Sequence, residues 1–213
     1  MNPIVRLPDL DRQTPSADFR AAMRQLAGGV SVITAGAGTD ISGMTVTSVS
    51  SLSVDSPSLI VSINRASSSW PLLQRHRFFG VNILSADQID VAERFTGKDG
   101  LKGAERFVGA QWTVRDSGVR LLAGALAAIE CEAEDIIERH SHAIVIGRVL
   151  HVQLSPGHGA LAYWQGDYVA IDREEDMVKL ADVSVPGGHA HEMQAVSYLR
   201  RQFVPERFPK PNP

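Results

Sequence analysis

The densest run of hydrogen-bonding side chains lies between Thr39 and Ser69, where nearly half the residues are Ser or Thr interleaved with β-formers. Hydroxyls on strands both donate and accept, so this composition suits a polyhydroxylated, phosphorylated or heteroaromatic ligand held by many neutral hydrogen bonds. The plainer alternative is that Thr is a good β-former and the hydroxyls line a solvated strand face. A second cluster is Glu138, His140 and His142, which alternate with period two. On an uninterrupted strand the three share a face and form a three-ligand set for a divalent metal. R-H-S-H at 139–142 reads instead as a turn, which breaks that face. His189 and His191 repeat the spacing within G-G-H-A-H-E, in a stretch too flexible for a preorganised site. Cys131 is the sole cysteine, so neither an intrachain disulfide nor a multi-cysteine metal site can form. Set in a long β-run, it reads as a packed strand residue rather than a nucleophile.

Other chemistry is excluded by missing patterns. G-A-G-T-D-I-S-G at 36–43 lacks the spacing of a dinucleotide glycine motif and joins two strands, so it reads as a hairpin loop. The chain has no G-K-[ST] phosphate loop, no H-E-x-x-H and no G-x-S-x-G elbow. Trp70, Trp112 and Trp164 are too scattered for a base-stacking platform.

The elements that must position these residues follow from periodicity. Residues 1–15 carry Pro3, Pro8 and Pro15 and read as an irregular arm. Ser16 offers an N-cap to a short amphipathic helix through Phe19, Met23 and Leu26, which Gly28-Gly29 ends. From Val30 the period becomes two, giving four strands in V-S-V-I-T, M-T-V-T-S-V-S-S-L-S, S-L-I-V-S-I-N and F-F-G-V-N-I-L. Short helices are expected at Ser69 to Gln74 and at Ala86 to Phe95, the latter capped by Ser85. A-L-A-A-I-E-C-E-A-E-D-I-I-E and A-I-V-I-G-R-V-L-H-V-Q-L read as antiparallel partners across R-H-S-H. A last strand falls at Leu161 to Trp164 or Tyr168 to Ile171. Many short strands without βαβ alternation predict a mainly β fold with a few short helices, closed as a barrel.

Composition sets the remaining bounds. The chain has 213 residues, 44% hydrophobic and 21% charged, with a formal net charge of −3. That size buries a core without staples, and the charge balance excludes global attraction to nucleic acid or an anionic membrane. The longest apolar stretch, Leu121 to Ile129, is far short of the ~20 residues that cross a bilayer, and the N-terminus has no hydrophobic signal core. With one cysteine, a reducing cytoplasm is the expected location. Beyond Asp172, D-R-E-E-D, V-P-G-G-H-A-H and M-Q-A-V-S-Y-L-R-R-Q-F read as an extension over 173–213, flexible or a dimer arm.

The order of residues in G-M-T-V-T-S-V-S-S-L-S-V-D-S-P-S-L-I-V-S-I-N-R-A-S-S-S, followed by F-F-G-V-N-I-L, resembles the short-chain flavin reductases that supply reduced flavin to two-component monooxygenases. The resemblance spans roughly residues 17–171, about three quarters of the chain, and places the domain at 16–172. It implies a Greek-key-like split β-barrel of the FMN-binding type, dimerised with FMN or FAD at the subunit interface. It also implies NADH or NADPH as hydride donor and a separate oxygenase as partner. The flavin ring would lie against the backbone and hydroxyls of Thr45, Val46, Thr47, Ser48 and Ser51. Asn64 would end the next strand, Ser67 and Ser69 would lie near the phosphate, and Asn82 would support the pocket floor. H-S-H-A-I-V-I-G-R-V at 140–149 resembles the family's Gly-Asp-His segment, with His142 matching the His that holds the dinucleotide. His140 and Ser141 replace the Gly and Asp, and His accepts positive φ less readily than Gly. No obligatory catalytic acid, base or nucleophile is implied, because the cofactors carry the reactivity. A flavin- or haem-binding split barrel without nicotinamide turnover is the alternative reading.

Overall fold

The computed structural model describes residues 15–155 and 159–171; the expected arm, apart from Pro15, and the extension lie outside the described residues. Helix α1 spans Ser16–Met23. Ser16 is its first residue rather than its cap: Pro15, at φ −55° and ψ 137°, holds the cap position. Proline has no amide proton to satisfy there, and its φ leads into a helix without strain. The helix ends at Met23, well before the glycines, and Phe19, Met23 and Leu26 remain exposed. Gly28–Gly29 form a short strand, β1.

The chain then runs β2 (Ser31–Ala37), β3 (Asp40–Val46), β4 (Ser50–Ser53), β5 (Ser58–Asn64), α2 (Trp70–His76), β6 (Phe78–Ile83) and α3 (Ile89–Arg94). A 3-10 turn at Gly103–Phe107 leads to β7 (Trp112–Val114), β8 (Arg120–Leu122), β9 (Ala127–Arg139), β10 (His142–Leu154), β11 (Ala160–Trp164) and β12 (Asp167–Ile171). Three sequence expectations shift. The Ser/Thr run expected as one strand is two, β3 and β4. Helix α3 starts at Ile89 with Gln88 at its cap, because Ser85 is still extended in a bridge to Ala160 and spends its hydroxyl on the Asp87 carboxylate. Both alternatives for the last strand form, paired as the β11–β12 hairpin.

All pairings are antiparallel, and the main sheet has the order β3-β2-β6-β9-β10-β5-β4. The link from β5 through α2 to β6 passes over β9 and β10, a long return of Greek-key type. Strands β3 and β4 are the two edges of this sheet, yet only Thr47, Ser48 and Val49 join them. Six gaps of about 4.8 Å would hold the edges about 29 Å apart in a flat sheet. The four peptide steps from Val46 to Ser50 reach at most about 14 Å. The sheet must therefore curl until its edges meet at this short bridge.

The curl separates two apolar cores. Ile33, Val61, Ile63, Phe79, Val81 and Val145 fill one, with Leu73 of α2 packed among them. Val30, Val32, Leu84, Phe95, Leu121 and Leu161 belong to the other, which holds α3 and β8 against the opposite face. Strand β2 is buried along nearly its whole length because both cores press on it. Among the described residues no helix is long and apolar enough to cross a membrane.

Candidate functional site

The bridge between the sheet edges is pinned on both sides. At the end of β3 the Thr45 hydroxyl donates to the Ala92 carbonyl (2.5 Å) and its amide to Phe95 (3.2 Å), fixing the strand on α3. Val46 and Val49 are partly buried against the first core. Gly28 passes so close that a Cβ there would meet the Thr47 Cβ at 2.9 Å, which a larger residue does not tolerate. Beyond it the Ser48 hydroxyl donates to the Ser62 carbonyl of β5 (2.8 Å). Between these anchors the amides of Thr47, Ser48 and Val49 make no hydrogen bond among the described residues. Thr47, Ser48 and Ser51 are exposed. Fixed, unspent backbone donors on a rigid bridge suit the carbonyl and nitrogen edge of a heteroaromatic ring. Thr47 also borders a cleft of about 230 Å³ with Arg20, Arg24 and Tyr163.

Strand β5 leads from Ser62 to Asn64, where the chain turns into α2. The Asn64 Oδ1 accepts the Ala66 amide (2.9 Å), its carbonyl accepts the Ser67 amide (3.1 Å), and the Ser67 carbonyl accepts the Trp70 amide (3.2 Å). This winding buries the Ser67 Oγ with no hydrogen-bond partner. An unpaired buried hydroxyl costs free energy unless a ligand satisfies it, and a phosphate oxygen is an acceptor of that kind. The structure separates Ser67 from Ser69: Ser69 is almost fully buried, and its hydroxyl donates to the Ser42 Oγ (3.4 Å), which also shares a bond with Ser68 (2.7 Å). Asn82 is likewise spent inside the fold. Its Nδ2 donates to the Val32 carbonyl (3.0 Å) and its Oδ1 accepts the Leu122 amide (2.7 Å), joining β2, β6 and β8. It lies on the same cross-strand row as Thr45, with Val32 between them.

His142 opens β10 directly opposite Asn64, so the dinucleotide candidate and the end of the Ser/Thr-rich strand meet on neighbouring strands. Its ring is exposed, with Nδ1 2.9 Å from the Ser141 hydroxyl. The two-residue turn before it holds His140 at φ 51°, so the left-handed backbone expected of glycine is kept without one. Sequence reasoning missed Arg65 and the role of Glu138 as its partner. The Arg65 guanidinium pairs with the Glu138 carboxylate (2.6 Å) and donates to the His140 carbonyl (3.0 Å). Arg65 was legible only as the residue after Asn64 in the quoted run. Glu138 is thus engaged by a cation, and among the described residues no group of three or more His, Cys, Asp or Glu gathers for a metal. Cys131 is buried in the first core, where desolvation and then the Glu130 charge push its thiol up to about 12, which makes it inert as a nucleophile.

Comparison with known proteins decides the family. Residues 23–172 match the flavin reductase like domain. This chain belongs to the flavin reductase family. It is 37% identical over 155 residues to the reductase component of an FADH(2)-dependent resorcinol hydroxylase of Rhizobium, covering 72% of this chain and 86% of that one. An FMN reductase (NADH) of Rhizobium rhizogenes is 32% identical over 154 residues, covering 72% and 88%. Among solved structures, the flavin reductase component of a bacterial two-component tryptophan halogenase superposes with a TM-score of 0.68 at 29% identity, over 74% of this chain and 98% of that one. The family member described here is therefore an NAD(P)H-dependent flavin reductase, and its curled, mainly β sheet is the split barrel of its structural neighbours.

Proposed function

We propose that this reductase passes a hydride from NADH or NADPH to FMN or FAD and releases the reduced flavin to a separate oxygenase. The observation that carries the site is the bridge at 47–49, whose three rigid amides are unspent; the buried, unpaired Ser67 hydroxyl, three residues past the end of β5, is a second unspent group. When bound, the flavin supplies a hydride-accepting ring and the nicotinamide the hydride. The chain's own task is to hold and orient. Thr45 and Val46 fix the end of β3, the amides of Thr47 and Ser48 donate to the acceptor edge of the ring, and Ser51 borders it. Asn64 shapes the loop whose Ser67 donates to the phosphate. Ser69 and Asn82 act from behind, by fixing α2 and β2. His142 orients the dinucleotide and moves no proton in the hydride step.

Two further features support the reading. Ile144 and Ile137 beside His142, and Val152 and Leu154 beyond the Arg148 ion pairs, expose apolar side chains on β9 and β10, a face that suits a second copy of the chain in a homodimer. NADH is named as the donor of one relative and a flavin-dependent hydroxylase as the partner of another, which favours NADH and an oxygenase here. A single buried cysteine suits a reducing cytoplasm.

The test is steady-state oxidation of NADH and NADPH with riboflavin, FMN and FAD. The expected result is turnover with at least one nicotinamide, and a lower KM for the phosphate-bearing flavins than for riboflavin. Flavin binding without nicotinamide oxidation would make the protein a carrier and overturn the proposal.

A further inference from the structure

We propose that Arg65 is a positioning residue that fixes the hairpin turn carrying His142 against the loop carrying Ser67, with Glu138 as its counter-charge. The inference rests on the reading of His142 as the dinucleotide contact and Ser67 as the phosphate contact.

Three groups of this one residue reach across to the hairpin. Its amide donates to the Ser141 carbonyl (3.0 Å), one guanidinium nitrogen to the His140 carbonyl (3.0 Å), and another pairs with Glu138 (2.6 Å). These contacts grip residues 138–141, the whole turn that delivers His142. The second Glu138 oxygen faces the Gln74 side-chain amide at 3.5 Å, so α2 steadies the same carboxylate. On its own side Arg65 sits between Asn64 and Ala66, and Asn64 holds the amides of both Ala66 and Ser67. Asn64 thus holds the loop independently of the Arg65 side chain, and that side chain steadies the turn against it.

The turn has a reason to need this grip. Left-handed backbone is disfavoured for a residue with a side chain and persists only where the surroundings over-determine it. His140 at φ 51° is such a residue, and its carbonyl is one of the groups Arg65 holds. Global stability does not explain the arrangement. The Arg65 and Glu138 side chains are 40% and 42% exposed, and an ion pair so open to water adds little to folding. What several directed bonds on one short turn do provide is placement, and an orienting group displaced by about 1 Å loses much of its effect.

The experiment uses the full chain and four variants: Arg65→Gln, His140→Gly, their combination, and His142→Ala. Measured for each are KM for NADH at saturating FMN, the dissociation constants of FMN and riboflavin, Tm, and the proton and carbon resonance of the His142 Cε1, identified by its loss in His142→Ala. In Arg65→Gln the NADH KM is expected to rise about fivefold, with both flavin dissociation constants within about twofold of the parent. The His142 resonance is expected to shift or broaden in the free protein, and Tm to move by less than about 3 °C. Glycine accepts positive φ without a grip, so adding His140→Gly is expected to bring the KM back to within about twofold of the parent. An unchanged KM and resonance in Arg65→Gln would overturn the proposal. Weaker FMN with unchanged riboflavin would overturn it in favour of a direct phosphate contact. A raised KM that His140→Gly does not relieve would do so in favour of a direct dinucleotide contact. If His142→Ala leaves the NADH KM unaltered, the underlying reading of His142 falls and this inference with it; if His142→Ala raises it and Arg65→Gln does not, only the inference falls.

Discussion

Replacing Ser67 by Ala tests the site through two effects of opposite sign. In the free protein the Ser67 Oγ is buried without a partner, so its removal relieves a desolvation cost and is expected to stabilise the fold. An unsatisfied buried polar group costs about 1–3 kcal/mol; taking about 1 kcal/mol for a hydroxyl whose residue is only half-buried, Tm should rise by about 2–4 °C. With FMN present the same hydroxyl donates to a charged phosphate, and losing a charge-assisted bond of about 1.5–3 kcal/mol raises the dissociation constant about 10- to 100-fold. Riboflavin has no phosphate, so its affinity should change by less than about twofold. Thermal melting without flavin and fluorescence titration with FMN and riboflavin read the two effects separately. A lower Tm would mean that the hydroxyl has a partner in the fold. An equal loss of FMN and riboflavin, or no loss of either, would refute the assignment to phosphate.

Three other perturbations probe parts of the molecule independent of Ser67. Asn82→Ala leaves the Leu122 amide unpaired and removes the side-chain donor from the Val32 carbonyl, and should cost about 1–3 kcal/mol in urea unfolding while the folded protein binds FMN within about twofold of the parent; a large, selective loss of FMN would return Asn82 to the ligand. Cys131 has its pKa raised from 9.0 to about 12, so the folded state holds the proton more tightly than the unfolded chain. Its contribution is complete below pH 9 and is lost as pH rises from 9 towards 12, by about 1.4 kcal/mol per unit, and Cys131→Ala should flatten that part of the stability profile. Identical slopes in parent and variant between pH 9 and 10.5 would contradict the burial of the thiol. Ile144→Glu puts a charge on the exposed face of β9 and β10 and should halve the mass seen by sedimentation if that face joins two copies; an unchanged dimer would place the interface elsewhere.

The long hairpin was legible because I-E-C-E-A-E alternates with period two and A-I-V-I-G-R-V-L-H-V-Q-L is a long run of β-formers, with R-H-S-H between the two as the turn. The break at Thr47–Val49 was not. M-T-V-T-S-V-S-S-L-S slips its alternation at Thr47-Ser48 but has no Gly or Pro to mark a break, while the chain leaves one sheet edge for the other, and pairing partners are not written in local period. The helix α1 shows the reverse failure: its apolar spacing is regular, yet Phe19, Met23 and Leu26 find no core among the described residues. Ser67 and Ser69 were equivalent in the sequence and differ in the fold, because the winding from Asn64 into α2 turns one hydroxyl onto Ser42 and leaves the other unpaired.

The order of residues from Gly43 to Ser69 and around His142 was sufficient to identify a flavin reductase, since the residue types and their spacing along the chain are themselves the signature. Only the tertiary structure decided which hydroxyls and amides remain unspent, and that Arg65 and Glu138, 73 positions apart, meet beside the turn of His142. Hydrogen-bond satisfaction depends on which groups the curled sheet brings within about 3 Å, and separation along the chain carries no information about that.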